Sequence, residues 1–206
     1  VFVVRETMEE AARLMAATDV PPGDEREISD NVRILKLACW HSTRVKTGAE
    51  AMRLLLRSDR VYIDLLQNRL FQAPDGEEGE AEGEGINIHL SYFCDEFDPN
   101  LEFRGFVAGG RRTALTAYNP WVYVPELVQR KDEVMELIDR LWSEAEACLS
   151  IADYSIDFAL TSDWSRVYMV EINAFLPPLA GCGLFDYGND HDRRLMLGQL
   201  PPEGGE

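Results

Sequence analysis

The sequence has little positive charge. It contains 20 lysines and arginines against 37 aspartates and glutamates, which gives a net charge of −17. Residues 75–84 alone hold six acids and no base. A chain this acidic repels phosphate at long range, so we expect neither non-specific nucleic-acid binding nor attachment to anionic lipid. A nucleotide would need a locally basic pocket in this molecule.

Cysteine and histidine are also scarce. The four cysteines are scattered without a CxxC pair, which gives a zinc site little support and favours a reducing compartment. The three histidines lie far apart in the sequence, and no Ser/His/Asp or Cys/His set is recognisable. Hydrolysis through an acyl-enzyme therefore has no support.

Long apolar runs are absent, and no basic-then-apolar leader stands at Val1. We therefore expect no membrane insertion and a cytoplasmic location. Because Val1 is not a methionine, a preceding targeting segment and an organellar location stay open. The length of 206 residues suits one large domain, or one domain with a small lobe.

The most informative stretch is a predicted hairpin of two apolar strands, residues 154–160 and 167–173. Residues two apart on a strand point to the same face, so Glu171 and Asn173 project together, and Asp157 can reach that side from the neighbouring strand. Three oxygen-bearing side chains suit a hard cation such as Mg²⁺. The alternative interpretation is that all three are solvated residues at a strand end.

Elsewhere, apolar periodicity predicts a mixture of helices and strands. The predicted strands are residues 31–40, 59–66, 86–93, 101–108 and 112–118, the last two joined by a tight Gly109–Gly110 turn. The predicted helices are residues 48–57 and 126–149. Thr47 followed by Glu50 is typical of a capping box before the first helix.

Two segments predict irregular structure. Residues 18–30 are polar, contain two prolines and predict a loop. Residues 72–85 are low-complexity Gly, Glu and Ala, and we expect a mobile insertion there. We expect the strands on either side of this insertion to be neighbours in one sheet.

Several cations have two open interpretations. Lys36 is the one cation on an apolar side of the predicted strand 31–40, so it either lies at a sheet edge or contacts an anion. Glu102 and Arg104 share a strand face, either as an exposed ion pair or as an arginine held ready for phosphate. Arg44 and Lys46 are typical of a solvated basic turn.

Four motifs together resemble the cell division cycle 123 family. This family belongs to the ATP-grasp superfamily, in a clade named for one arginine and two lysines. The motifs are EFRGFV at residues 102–107 (EFRCFV in the family), EINAF at 171–175 (DFNPF in the family), RVKTGAEAMRLLLRSDRVYIDL at 44–65 and LFDY at 184–187. The resemblance covers roughly residues 32–197.

The resemblance implies an α+β chain with an ATP-grasp fold, in which two lobes with antiparallel sheets surround a nucleotide cleft. Residues 1–206 would form a single domain. Its first lobe would span about residues 32–118, including the acidic insertion at 72–85, and about residues 119–197 would carry the metal-binding hairpin and the long helix.

The resemblance also implies roles for six residues. Asp157, Glu171 and Asn173 would bind Mg²⁺, and a second group would face the phosphates of ATP. This second group consists of Lys36, Lys46 and Arg104.

The resemblance implies an assembly factor that uses ATP to chaperone a partner protein, the gamma subunit of translation initiation factor two. One alternative is an ATP-dependent carboxylate–amine ligase of the same clade. Another is a degenerate pseudoenzyme that serves as a structural subunit of a larger complex.

The sequence departs from the family at residues 91–93, where basic residues are missing, and at Ala117 and Tyr118, which replace Gln-Arg. Both departures remove positive charge.

Overall fold

The computed structural model describes residues 11–13, 25–72, 88–175 and 181–200. Helices and one antiparallel sheet confirm the α+β class. The chain divides into two units, which we describe separately. Unit 1 comprises Val1–Asp19 and Ala38–Cys94, and unit 2 comprises Val20–Leu37 and Asp95–Glu206.

Unit 2 is built on a four-stranded antiparallel sheet. Its strands are β1 (Phe97–Ala108), β2 (Arg111–Ala117), β3 (Tyr154–Thr161) and β4 (Val167–Ala174), in the order β2-β1-β3-β4. Both predicted hairpins are confirmed.

The turn between β1 and β2 requires glycine. Gly109 and Gly110 have φ values of +58° and +71°, a region that side chains with a Cβ rarely adopt. The N–H of Gly109 donates to the carboxylate of Asp153, which fixes this turn beside the start of β3.

One face of the sheet packs against a helix. Helix α5 (Lys131–Glu146) buries Val134, Ile138 and Trp142 against apolar residues of β1 and β3. The helix lies close to the sheet at Gly105, where an added Cβ would lie 2.4 Å from the Trp142 ring. Gly105 stands where the family motif has a cysteine, and the indole occupies the space of the missing side chain.

The sequence predicted one helix over residues 126–149, and this prediction is wrong in detail. The structure has α4 (Pro125–Gln129) and then α5, with a break at Arg130, whose φ and ψ are −107° and 18°. Proline at the first position of α4 suits a helix start. Neither proline nor glycine marks the break in the sequence.

The opposite face of the sheet is apolar at one end and polar at the other. The apolar end is a cluster of Phe106, Phe175 and Met196. Met196 comes from the short helix α6 (Asp190–Met196), which Asn189 caps by accepting from the N–H groups of His191 and Asp192. The polar end carries the candidate site.

The N-terminal half differs most from the sequence prediction. Helix α1 (Glu25–Ser42) replaces the predicted strand 31–40 and the end of the predicted loop 18–30. Helix α3 (Asp59–Gln72) replaces the predicted strand 59–66. Residues 88–94 have no regular secondary structure where a strand over 86–93 was predicted. The expected pair of neighbouring strands is therefore wrong.

Helix α2 (Gly48–Leu56) confirms the prediction for residues 48–57. Thr47 Oγ1 accepts from the N–H of Glu50, and the Glu50 carboxylate accepts from the N–H of Thr47, which is the predicted capping box. The predicted insertion 72–85 lies outside the described residues, apart from Gln72 at the end of α3. Among the described helices, none has the length and apolar character to cross a bilayer.

Candidate functional site

The candidate site is a row of side chains that crosses the sheet of unit 2. Strand register pairs Thr116 with Arg104, Arg104 with Asp157, and Asp157 with Glu171. Directly paired residues of adjacent strands lie on the same face. The row therefore takes one residue from each of the four strands.

The centre of the row is a buried ion pair. Arg104 Nε donates to Asp157 Oδ1 at 2.7 Å, and Arg104 Nη2 donates to Asp157 Oδ2 at 2.6 Å. The two side chains are 6% and 1% exposed. Burial raises the pKa of Asp157, although the hydrogen bonds and charge of Arg104 oppose that rise.

Asn173 and Glu171 lie beside this ion pair on β4, as their spacing predicted. Asn173 Nδ2 donates to Glu171 Oε1 at 2.9 Å, and the same carboxylate oxygen is 4.0 Å from Arg104 Nη2. The side chain of Glu171 is 54% exposed, so it is the solvent-accessible carboxylate of the row. The structure thus brings together the three residues that the resemblance assigns to magnesium.

Lys36 reaches the same face from helix α1 rather than from a strand. Its Nζ is 3.5 Å from Glu102 Oε2, so of the two interpretations the contact with an anion is the one observed. Burial raises the pKa of Glu102, while the charge of Lys36 opposes that rise. The exposed Glu102–Arg104 ion pair is not observed, because each of these residues pairs with another partner.

Tyr118 joins the two cations, and sequence reasoning missed this role. The Arg104 guanidinium lies 4.6 Å from the centre of the Tyr118 ring, and Lys36 Nζ lies 5.6 Å from it. Such distances are typical of cation–π contacts. A usable signal was present: Tyr118 ends the predicted strand 112–118, two residues after Thr116, so alternation along that strand predicts the same face for both.

The loop after β4 also contributes to the site. The carbonyl oxygen of Gly181 accepts from Arg104 Nη1 at 2.9 Å. Gly183 has a φ of +62°, and an added Cβ there would lie 2.5 Å from Thr116, so the loop packs directly on β2.

Lys46, the third cation implied by the resemblance, belongs to unit 1. It lies in the turn before α2, and its backbone N–H donates to Glu50 Oε2 at 2.6 Å. Its side chain is exposed. In the same unit, the Arg44 guanidinium lies 5.1 Å from the centre of the Phe93 ring, so Arg44 is more than a solvated turn residue.

The oxygen donors in the row and beside it suit magnesium. Asp157, Glu171 and Asn173 offer carboxylate and amide oxygens, and Mg²⁺ is commonly held by one or two carboxylates together with substrate phosphates. Among the described residues, no group of three or more His, Cys, Asp or Glu side chains is arranged to hold a metal ion. A site here would therefore depend on oxygens from outside the chain as well.

Comparison with known proteins gives a family and a fold. The model of the D123 family matches residues 37–192. The chain is similar to the structure of C-terminally truncated Cdc123 from Schizosaccharomyces pombe, at 20% identity over 98% of this chain and 85% of that chain, with a TM-score of 0.56. It is also similar to the structure of Cdc123 from the same organism, at the same identity and coverage, with a TM-score of 0.51. Curated proteins give no match. At this identity the structural likeness shows the fold alone.

Proposed function

The chain belongs to the D123 family, and we propose that it is an ATP- and magnesium-binding protein of the ATP-grasp type that assists the assembly of a partner protein. The observation that carries this proposal is the juxtaposition of one cation, Lys36, with Asp157, Glu171 and Asn173 on the face of the sheet where Arg104 pairs with Asp157. Cations beside hard oxygen donors suit a phosphate chain with its metal ion.

Each residue of the face has a task in this proposal. Glu171 and Asn173 present oxygens at the accessible end of the row, and Asp157 presents a carboxylate at its buried end. Lys36 supplies positive charge near the phosphates. When bound, magnesium would neutralise part of the phosphate charge. The chain's own residues would orient and hold the phosphates and the metal ion through electrostatic contacts rather than covalent bonds.

The partner we propose is the gamma subunit of translation initiation factor two, in the cytoplasm, as the resemblance implies. Unit 2 carries large apolar side chains that a partner could cover: Trp121 is 73% exposed, Tyr123 is 61% exposed and Val128 is 69% exposed. Exposed aromatic side chains are typical anchors of protein interfaces. A titration of the purified gamma subunit, with and without ATP, tests this part of the proposal. Binding that is absent in both conditions would contradict it.

The nucleotide part is tested by calorimetric titration of ATP with and without Mg²⁺. Glu171→Gln is the sharpest variant, because Glu171 is half exposed and its loss leaves the Arg104–Asp157 pair intact. Asp157→Asn is less useful, since it leaves a buried arginine without its ion-pair partner, a change that costs about 3–5 kcal/mol. We expect Glu171→Gln to lose the magnesium-dependent part of the affinity.

Glu133→Gln is the matched control, because the Glu133 side chain is 52% exposed and also lies near an arginine. We expect this variant to bind ATP as the unchanged protein does. Equal binding by Glu171→Gln and Glu133→Gln would contradict the site assignment.

One observation favours a second candidate, a degenerate pseudoenzyme that serves as a structural subunit. Arg104 and Asp157 satisfy each other, and Tyr118 stands in place of an arginine, so the site is poorer in free positive charge than the family motif implies. A protein that folds normally and binds no ATP at any magnesium concentration would establish this candidate over the first. A carboxylate–amine ligase has no comparable support from the described residues.

A further inference from the structure

The guanidinium of Arg104 donates a hydrogen bond within the protein from each of its three nitrogens. Nε and Nη2 donate to the two oxygens of Asp157, and Nη1 donates to the carbonyl of Gly181. The residue is 5% exposed. A two-bond fork of this kind fixes the plane of a carboxylate as well as its position. Arg104 is therefore better placed to orient Asp157 than to grip a phosphate.

We propose that Arg104 is a positioning residue for the metal end of the site and acts through Asp157. The inference rests on the proposed function, because it assumes that Asp157 is a magnesium ligand. A carboxylate accepts about four hydrogen or metal bonds, and the Arg104 fork uses two of these positions. Asp157 thus keeps acceptor capacity for a cation while its rotamer is held. Partners that orient a ligating carboxylate contribute strongly to metal affinity.

Tyr118 also supports this arrangement of Arg104. Its ring lies against Arg104 at 4.6 Å and against Lys36 at 5.6 Å, so one neutral side chain contacts both cations. An aromatic face attracts a guanidinium and adds no net charge to the site. Tyr118 therefore contacts the Arg104 guanidinium with its ring, while the Gly181 carbonyl accepts a hydrogen bond from Nη1.

The unit 2 sheet contains a matched control for this arrangement. Arg112 on β2 makes the same two-bond fork to Glu146, with distances of 2.8 and 2.7 Å, and its guanidinium lies 4.9 Å from the centre of the Trp142 ring. This second fork involves none of the candidate ligands. Arg104→Lys and Arg112→Lys each keep the positive charge and remove a fork.

The test separates magnesium binding from phosphate binding. ATP binding is titrated in EDTA, and the Mg²⁺ concentration for half-maximal enhancement of that binding is then measured. For Arg104→Lys we expect this concentration to rise about 10- to 100-fold, as for partners of metal ligands elsewhere. We expect its affinity for ATP in EDTA to stay unchanged. Arg112→Lys should change neither quantity.

A second pair of variants keeps the test decisive if Arg104→Lys fails to fold. Tyr118→Leu removes the ring and should raise the magnesium requirement, and Tyr118→Phe should restore it, because only the ring face is used. Weaker ATP binding in EDTA for Arg104→Lys would show direct phosphate contact and overturn the inference. The inference is also overturned if Arg104→Lys folds with an unchanged magnesium requirement, or if Tyr118→Leu leaves it unchanged. If the unchanged protein binds no ATP at all, the proposed function fails and the inference fails with it.

Discussion

Replacing Gly105 by alanine should destabilise unit 2, because the space for a side chain is already filled. An added Cβ would lie 2.4, 2.8 and 2.9 Å from three carbons of the Trp142 ring. Trp142 is 2% exposed and packs on Phe158 at 5.3 Å between ring centres, so it has little room to retreat. Overpacking of this kind costs about 1–3 kcal/mol.

The assay is urea unfolding followed by far-ultraviolet circular dichroism, which does not depend on tryptophan emission. The control is Gly48→Ala in α2, where an added Cβ meets nothing within 4 Å. A glycine-to-alanine change without a clash stabilises a protein by about 0.4–1 kcal/mol. We therefore expect effects of opposite sign at the two glycines.

A double-mutant cycle identifies the cause of the loss. Trp142→Phe alone leaves a cavity, but it also makes room for the new methyl group. We expect Gly105→Ala with Trp142→Phe to be more stable than the sum of the single effects, with a coupling energy of about 0.5–3 kcal/mol. Additive effects, or a Gly105→Ala protein as stable as the unchanged one, would refute the packing argument.

Two further predictions concern stability and pH. The folded-state pKa of Glu102 is raised, chiefly by burial, so its contribution to stability is present below its ordinary value of 4.5 and is lost as pH rises through the folded value. Urea titrations should show the stability of the unchanged protein falling relative to Glu102→Gln from acid to neutral pH, and a rise would contradict this. Hydrogen bonds from Thr161 and Ser165 lower the pKa of Asp163 to about 2, so that residue contributes stability above 3.8 which is lost as pH falls towards 2. Thermal melts in acid should show a smaller loss for Asp163→Asn, and equal losses would refute the assignment.

The sheet of unit 2 could be predicted from the sequence because its signals are local. Alternating residues and the Gly109–Gly110 turn specify the first hairpin, and a polar turn between two apolar runs specifies the second. Alternation also predicted that Glu171 and Asn173 share one face, which Asp157 can reach from the neighbouring strand. The pairing of β1 with β3, which joins the two hairpins, is a tertiary contact that local signals do not specify. The ion pair between Arg104 and Asp157 depends on it.

Helices α1 and α3 were predicted as strands because short apolar runs fit both periods. Residues 31–40 alternate at Val32, Ile34 and Lys36, yet Ile34, Leu37 and Ala38 also follow helical spacing. Residues 59–66 offered a missed signal, since Ser58 Oγ accepts from the N–H of Val61, as an N-cap does. Residues 59–72 contain no proline or glycine that would end that helix earlier.

The row across the sheet has a consequence for the order in which the protein assembles. Each hairpin closes between neighbouring segments, but Arg104 and Asp157 are 53 residues apart in the chain. Contacts of long sequence separation form only after the entropy of closing the intervening loop has been overcome. On a ribosome, Arg104 therefore emerges well before its carboxylate partner has been synthesised. The site that we expect to bind the nucleotide also needs Glu171 and Asn173 of β4, so a nascent chain that ends before β4 cannot form it.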